Sequence, residues 1–202
     1  MFKKIAAEAL GISDIGIIVS PQDYDKVDSD DYLFHEDGEK IFFLIKSKKD
    51  EYCFTNLALI HVDGDSAVSS KRRVKRYEYY ANHFSNVSLE TAGTLDMDIE
   101  LKFSINEHPF SIDIGKKFVE DLKNIYKALY TIGRHQRKDA MGRDNALRCL
   151  DATASLYKLN SVESDEVLLK RYTALLDHLN MTMHDRFTKK DFGDVFETYI
   201  RA

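Results

Sequence analysis

The amino-acid sequence predicts an α+β fold: a seven-stranded antiparallel β-sandwich or barrel capped by a helix and followed by an α-helical hairpin. Three observations carry that prediction. Between residues 39 and 114 the apolar side chains come in short alternating runs separated by turn residues, which is the period-2 rhythm of strands. From Lys116 onward they recur at three- and four-residue spacing, the rhythm of helices. Within residues 95–103, Leu95, Met97, Ile99, Leu101 and Phe103 alternate with Asp96, Asp98, Glu100 and Lys102. One face is therefore buried and the other wet, as in an antiparallel sheet.

Taken in chain order, the first element is a short amphipathic helix over residues 1–10, with Phe2, Ile5, Ala6, Ala9 and Leu10 on one face and Gly11 at its end. Lys3 and Lys4 give this segment the start of a signal peptide, but Glu8 interrupts an apolar stretch already too short for one. The segment 23–31 holds Asp23, Asp25, Asp28, Asp30 and Asp31. It lacks the glycine and the closing glutamate that a calcium loop requires, so a solvated loop is expected. Strands are expected over 40–46, 52–55, 57–62, 68–80, 83–90, 95–103 and 110–114. Residues 47–50 form a charged hairpin turn, Asp63 and Gly64 a strong turn pair, and Gly93 the turn before the sixth strand. After Gly115 the stripe Phe118, Leu122, Ile125, Leu129 and Ile132 marks a helix that covers the open end of the strand unit.

Three segments narrow the fold further: Phe54-Thr55-Asn56 leading into Leu59-Ile60-His61-Val62-Asp63; the basic-aromatic strand around Lys75, Arg76, Tyr77 and Tyr80; and the 88–102 stretch with Glu90-Thr91-Ala92-Gly93-Thr94 and its acidic alternation. As a set these resemble the bacterial pleckstrin-homology-domain family, and the whole chain resembles its YvbH-like members with a C-terminal helical extension. The resemblance implies a pleckstrin-homology-like domain over residues 1–133, including the short N-terminal helix, and a helical oligomerisation extension over 134–202. It implies assembly of domains into rings through strand edges, no known catalysis and no cofactor. The chain departs from the commoner family pattern at one place, having Tyr79-Tyr80-Ala81-Asn82-His83 where a Ser-Ile-Pro-Tyr-like turn precedes strand five.

In the extension, residues 134–138 read as a polar joint loosened further by Gly142, where the chain is expected to change direction. Leu147, Leu150, Ala154 and Tyr157 then mark a helix ending near Asn160 and Ser161. A second helix begins near Ser164, with Asp165 and Glu166 in its first turn. It carries Leu168, Tyr172, Leu175 and Leu179, flanked by Val167, Leu169, Leu176 and Met183, two apolar stripes that exceed what one helix can cover. Thr188 and Asp191 match a capping box, and Phe187 and Phe192 a hydrophobic staple, for a third helix carrying Val195, Phe196, Tyr199 and Ile200. Exposing so many large side chains is unfavourable. A hairpin without its own core is expected to bury them on sister copies, with Leu168, Leu175, Leu176, Phe192 and Phe196 as the interface.

Composition bounds the function. At 202 residues the chain can hold one good core and an appendage, and 44% hydrophobic with 31% charged residues is globular composition. A net charge of -5 and a pI near 5.8 supply no overall attraction to nucleic acid or anionic lipid. Cys53 and Cys149 have no paired-ligand spacing, which excludes a disulfide framework and a zinc knuckle and points to buried free thiols in the cytoplasm. No histidine pair has zinc-binding helical spacing, and no nucleophile elbow, phosphate loop or dinucleotide fingerprint occurs. No catalytic, metal or cofactor residue is therefore assigned. The sharpest charge feature is Lys71, Arg72, Arg73, Lys75 and Arg76, which could bind an anionic ligand or membrane surface but reads more simply as a strand blunted against uncontrolled pairing. The expected function is non-enzymatic: protein–protein interaction and ring-like homo-oligomeric assembly, with other proteins as further partners and a peripheral membrane or anionic-ligand adaptor as the second reading.

Overall fold

The computed structural model describes residues 14–64, 72–91, 98–158 and 164–200. The expected N-terminal helix, Lys71, the Gly93 turn and the Asn160-Ser161 helix end lie outside the described residues. The chain forms two compact units, one comprising residues up to Gly133 together with those from Lys190 on, the other spanning Arg134–Lys189.

The first unit holds eight strands among the described residues: β1 (Ile17–Ile18), β2 (Ile41–Lys46), β3 (Glu51–Thr55), β4 (Ala58–Gly64), β5 (Arg72–Glu78), β6 (Phe84–Thr91), β7 (Asp98–Ile105) and β8 (His108–Gly115). They form two antiparallel sheets, ordered β1-β2-β3-β4-β5 and β6-β7-β8. The seven strands expected from alternation are β2 to β8, and β1 is an addition that joins the sheets at one corner. It pairs with β2, while Gly16 bridges to Ile114 in β8. Each tight turn has a chemical cause. Ser47 and Asp50 close the β2–β3 turn through the Ser47 amide to the Asp50 carbonyl (2.8 Å) and the Asp50 amide to Ser47 Oγ (3.0 Å). Asn106, at φ +53°, takes the left-handed position of the β7–β8 turn that asparagine tolerates.

The main core lies between the sheets, with Phe54, Leu59, Leu101, Phe103 and Ile114 fully or almost fully buried. A helix, α1 (Val119–Lys158), covers the open end. Leu122, Ile125, Leu129 and Ile132 of the expected stripe are all completely buried.

Four local expectations are corrected. The acidic 23–31 segment is no solvated loop: it folds into short 3-10 turns, Pro21–Lys26 and Asp28–Tyr32. Val27 and Leu33 flank the second turn and pack with Leu44, Cys53, Ile60 and Val62 on the outer face of the first sheet. The buried Glu51 carboxylate fastens it, accepting from the amides of Asp28 (3.3 Å) and Ser29 (2.9 Å) with Lys46 paired beside it. Second, residues 134–142 do not interrupt the helix: α1 includes them, and the boundary between the two units falls inside it, after Gly133; one glycine in a helix costs only about 1 kcal/mol and does not end it. Third, Thr188 and Asp191 form no capping box. The Thr188 hydroxyl donates to the Met183 carbonyl (3.0 Å), and Asp191 instead accepts from the Gly193 amide (2.7 Å) and from Asn56 Nδ2 (2.8 Å).

That last contact belongs to the fourth correction, to the assignment of all of 134–202 to the extension. Residues from Lys190 on return to the β-unit as α3 (Gly193–Tyr199). Phe192 and Phe196 are completely buried there; Phe196 stacks on Phe42 at 5.3 Å between ring centroids and Phe192 meets Tyr79 edge-on at 5.8 Å. The Phe192 amide donates to the Asn56 carbonyl (2.8 Å), and Thr131 Oγ1 bonds Tyr199 Oη (3.2 Å).

In the second unit, α1 is followed by α2 (Asp165–Met181) and one π-helical turn, Thr182–Arg186. Arg143 donates to the Phe187 carbonyl and the Lys189 amide to Asp139 Oδ2 (3.3 Å), tying the segment after that turn to α1.

Candidate interaction surface

No residue of α2 with a described side chain is buried. A helix in a globular protein normally hides one stripe, and α2 has the sequence for it. Leu169, Tyr172, Leu168 and Leu176 are nevertheless 65%, 61%, 52% and 39% exposed, and only Leu175 and Leu179 are half-buried. Large apolar groups exposed on one helix are the physical mark of a surface that another molecule covers. The same unit exposes Met141 and Leu147 on α1. Its start is built by local rules: Ser164 holds extended backbone and its carbonyl accepts from the amides of Val167 (3.0 Å) and Leu168 (3.1 Å).

Of the five interface residues expected from sequence, the structure thus brings Leu168, Leu175 and Leu176 together on α2. Phe192 and Phe196 are corrected: both lie inside the first unit's core and offer nothing to a partner. Spacing alone could not separate the two sets, since a helix stripe that fills its own core and one that fills another chain's look alike. Two groups stand outside those five, although Leu169 and Tyr172 belong to the apolar stripes expected to pack on sister copies. Leu169 and Tyr172 are among the most exposed apolar residues of α2, and Phe187, read from sequence as half of a staple, lies against Gly142 of α1.

The basic strand does not converge on one site. Lys71 lies outside the described residues, and β5 sends the other four cations to opposite faces. Arg72 lies 3.4 Å from Asp28. Arg76 bonds the buried Glu39 (3.0 Å), lies 3.4 Å from Glu78 and covers the Phe34 ring at 4.7 Å. Glu39 is itself satisfied, accepting from Thr55 Oγ1 (2.6 Å) and the Phe34 amide (2.8 Å). Arg72 and Arg76 therefore fasten the outer layer to the first sheet. Arg73 and Lys75 are exposed, in register with Asp63 and His61 on β4. Among the described residues β5 lies at an edge of its sheet, so charge at these positions also opposes pairing with a stray strand. Among the described residues no helix is long and apolar enough to cross a membrane.

Cys53 is buried, and burial pushes its thiol well above the usual range; Cys149 is exposed. Comparisons with known proteins agree with this architecture. The Bacterial PH domain family model matches residues 9–132, and that of the YvbH-like oligomerisation region matches 163–202. The chain is 50% identical over 204 residues to the "Uncharacterized protein YvbH" of Bacillus subtilis (strain 168), covering 99% of each. It also superposes with a TM-score of 0.84, at 41% identity, on the crystal structure of a PH-domain-containing bacterial protein from Exiguobacterium sibiricum 255-15, covering 93% of this chain and 100% of that one. The two-sheet domain capped by α1, followed along the chain by an apolar helical region, thus has its counterpart in related sequences, and the chain belongs to the bacterial PH-domain family, among members carrying a YvbH-like oligomerisation region.

Proposed function

We propose that this protein is a non-enzymatic assembly module whose copies associate through α2 into a closed, ring-like homo-oligomer. One observation carries the reading: α2 lies within the region matched as an oligomerisation region, and none of its described side chains is buried in its own chain. Four large apolar side chains, each worth roughly 1.5 to 3 kcal/mol when covered, give a partner surface a strong driving force. The non-enzymatic part is supported by the use to which buried polar groups are put. Glu39, Glu51, Thr55 and Asn56 each hold backbone or a neighbouring side chain in place. The two thiols fit a reducing compartment, and we place the protein in the cytoplasm.

The test is sedimentation velocity on the full chain and on a Leu168→Asp, Leu176→Asp variant. The expected result is a wild-type species larger than one subunit and a variant sedimenting as one subunit with an unchanged melting temperature, since neither residue serves the domain core. Equal sedimentation of the two rejects α2 as the interface.

A further inference from the structure

The geometry points to a small-molecule site on this protein: a groove along α1 that takes a single-chain anionic amphiphile, one acyl chain ending in a carboxylate or phosphate. The groove lies wholly within the 134–189 unit and has a volume of about 630 Å³, inside the range of small-molecule sites. One wall is α1, whose positions 134, 137, 138, 141, 142, 145, 146 and 149 share a face because they follow three- and four-residue spacing. At ~1.5 Å per residue that face runs for about 22 Å. The other wall is the Phe187 ring. Its segment is fastened to α1: Arg143 donates to the Phe187 carbonyl, and the Lys189 amide donates to Asp139 Oδ2 (3.3 Å). Gly142 lets the ring lie against the helix, since a Cβ there would overlap it.

The class of ligand follows from how polarity is laid out along the groove. Arg134, Arg137 and Lys138 occupy one end, and the floor beyond them is Met141, Ala146 and Cys149, with the neutral Asn145 beside it. Three cations at three- and four-residue spacing repel one another on a helix. No acidic residue stands three or four positions from any of them, no described lining residue is acidic, and none of the three side chains has an ion pair among the described residues. An anion held there removes the repulsion, and the arginine fork matches a carboxylate or phosphate. Charge at one end with apolar surface along the rest is the polarity of an acyl chain with an anionic head. An amphipathic peptide helix divides polar from apolar side to side rather than end to end, so a groove built for one would carry its cations along the whole rim. Met141 is unbranched and flexible, which suits a floor that must follow the shape of a chain lying on it.

Isothermal titration of the full chain with palmitate and with palmitoyl lysophosphatidate, each below its micellar concentration, tests the site. Binding of either at about one molecule per subunit is the expected result, and the tighter of the two assigns the head as carboxylate or phosphate. Palmitoyl lysophosphatidylcholine, whose head is zwitterionic, and butyrate, an anion with almost no chain, are expected to bind at least about tenfold more weakly, the loss of one charge-assisted hydrogen bond or more. Two variants separate head from tail. Arg137→Glu with Lys138→Glu changes only exposed side chains, so it is expected to lose binding by a similar factor with an unchanged melting temperature. Ala146→Phe fills the floor and is expected to weaken binding with the cations intact. Cys149 lies at the far end of the floor, so palmitate is also expected to slow its reaction with a maleimide in the wild type but not in the charge-reversed variant. No binding of either anionic amphiphile, equal binding of the zwitterion, wild-type affinity in both variants, or binding only to bilayer vesicles of anionic phospholipid would overturn the groove as an amphiphile site.

Discussion

At the scale of single residues, the two cysteines report on the two units separately. Cys53 sits completely buried between the first sheet and its outer layer, where burial disfavours the thiolate. Because the thiolate is the reacting species, Cys53 is expected to resist a maleimide until the domain unfolds. Cys149 is exposed on α1, so its labelling is expected to be fast in the folded chain, as read by mass spectrometry over a time course; a rate as slow as that of Cys53 would show that another molecule covers it. The sequence points to both thiols being free and buried, and Cys149 is instead exposed, since burial is a tertiary property with no local signature. Gly142 has the same lesson. Its place in a polar stretch suggested a loosened joint, whereas its role is set by Phe187, 45 residues on in the chain. By contrast, the Ser47-Asp50 turn was legible because its cause is local backbone geometry, whereas the left-handed turn at Asn106 carried no expectation.

At the scale of elements, strands with strict alternation and the α1 stripe were legible, since each has a single buried side and a fixed period. Two elements were not. The 3-10 turns of 21–37 are dominated by aspartates, and only Val27 and Leu33 hint that the segment lies against the sheet. α3 carries an apolar stripe as strong as that of α2, yet it completes its own domain while α2 does not. The matched oligomerisation region therefore contains two parts with different duties, a surface helix and a helix that fills the core beside β2. Cutting the chain before Lys190 would thus remove Phe192, Val195 and Phe196 from the core and is expected to unfold the domain rather than merely dissociate an assembly. Phe196→Ala isolates the effect and should cost about 3 to 5 kcal/mol of stability, measured by denaturant unfolding. A loss below 1 kcal/mol would show that α3 is dispensable to the fold.

At the scale of the whole molecule, the domain builds a continuous buried core, while the 134–189 unit leaves large apolar side chains exposed on both α1 and α2. Protein interaction is the work for which such a division is suited, with the PH-like domain as the stable body and the helices as the adhesive surface. The measurement that bears most directly on this is the molar mass of the full chain by light scattering across the micromolar range. A discrete mass of several subunits that stays constant as concentration rises is the predicted result, because a closed set of contacts leaves no free α2 face to extend. A mass of one subunit throughout the range would contradict the account.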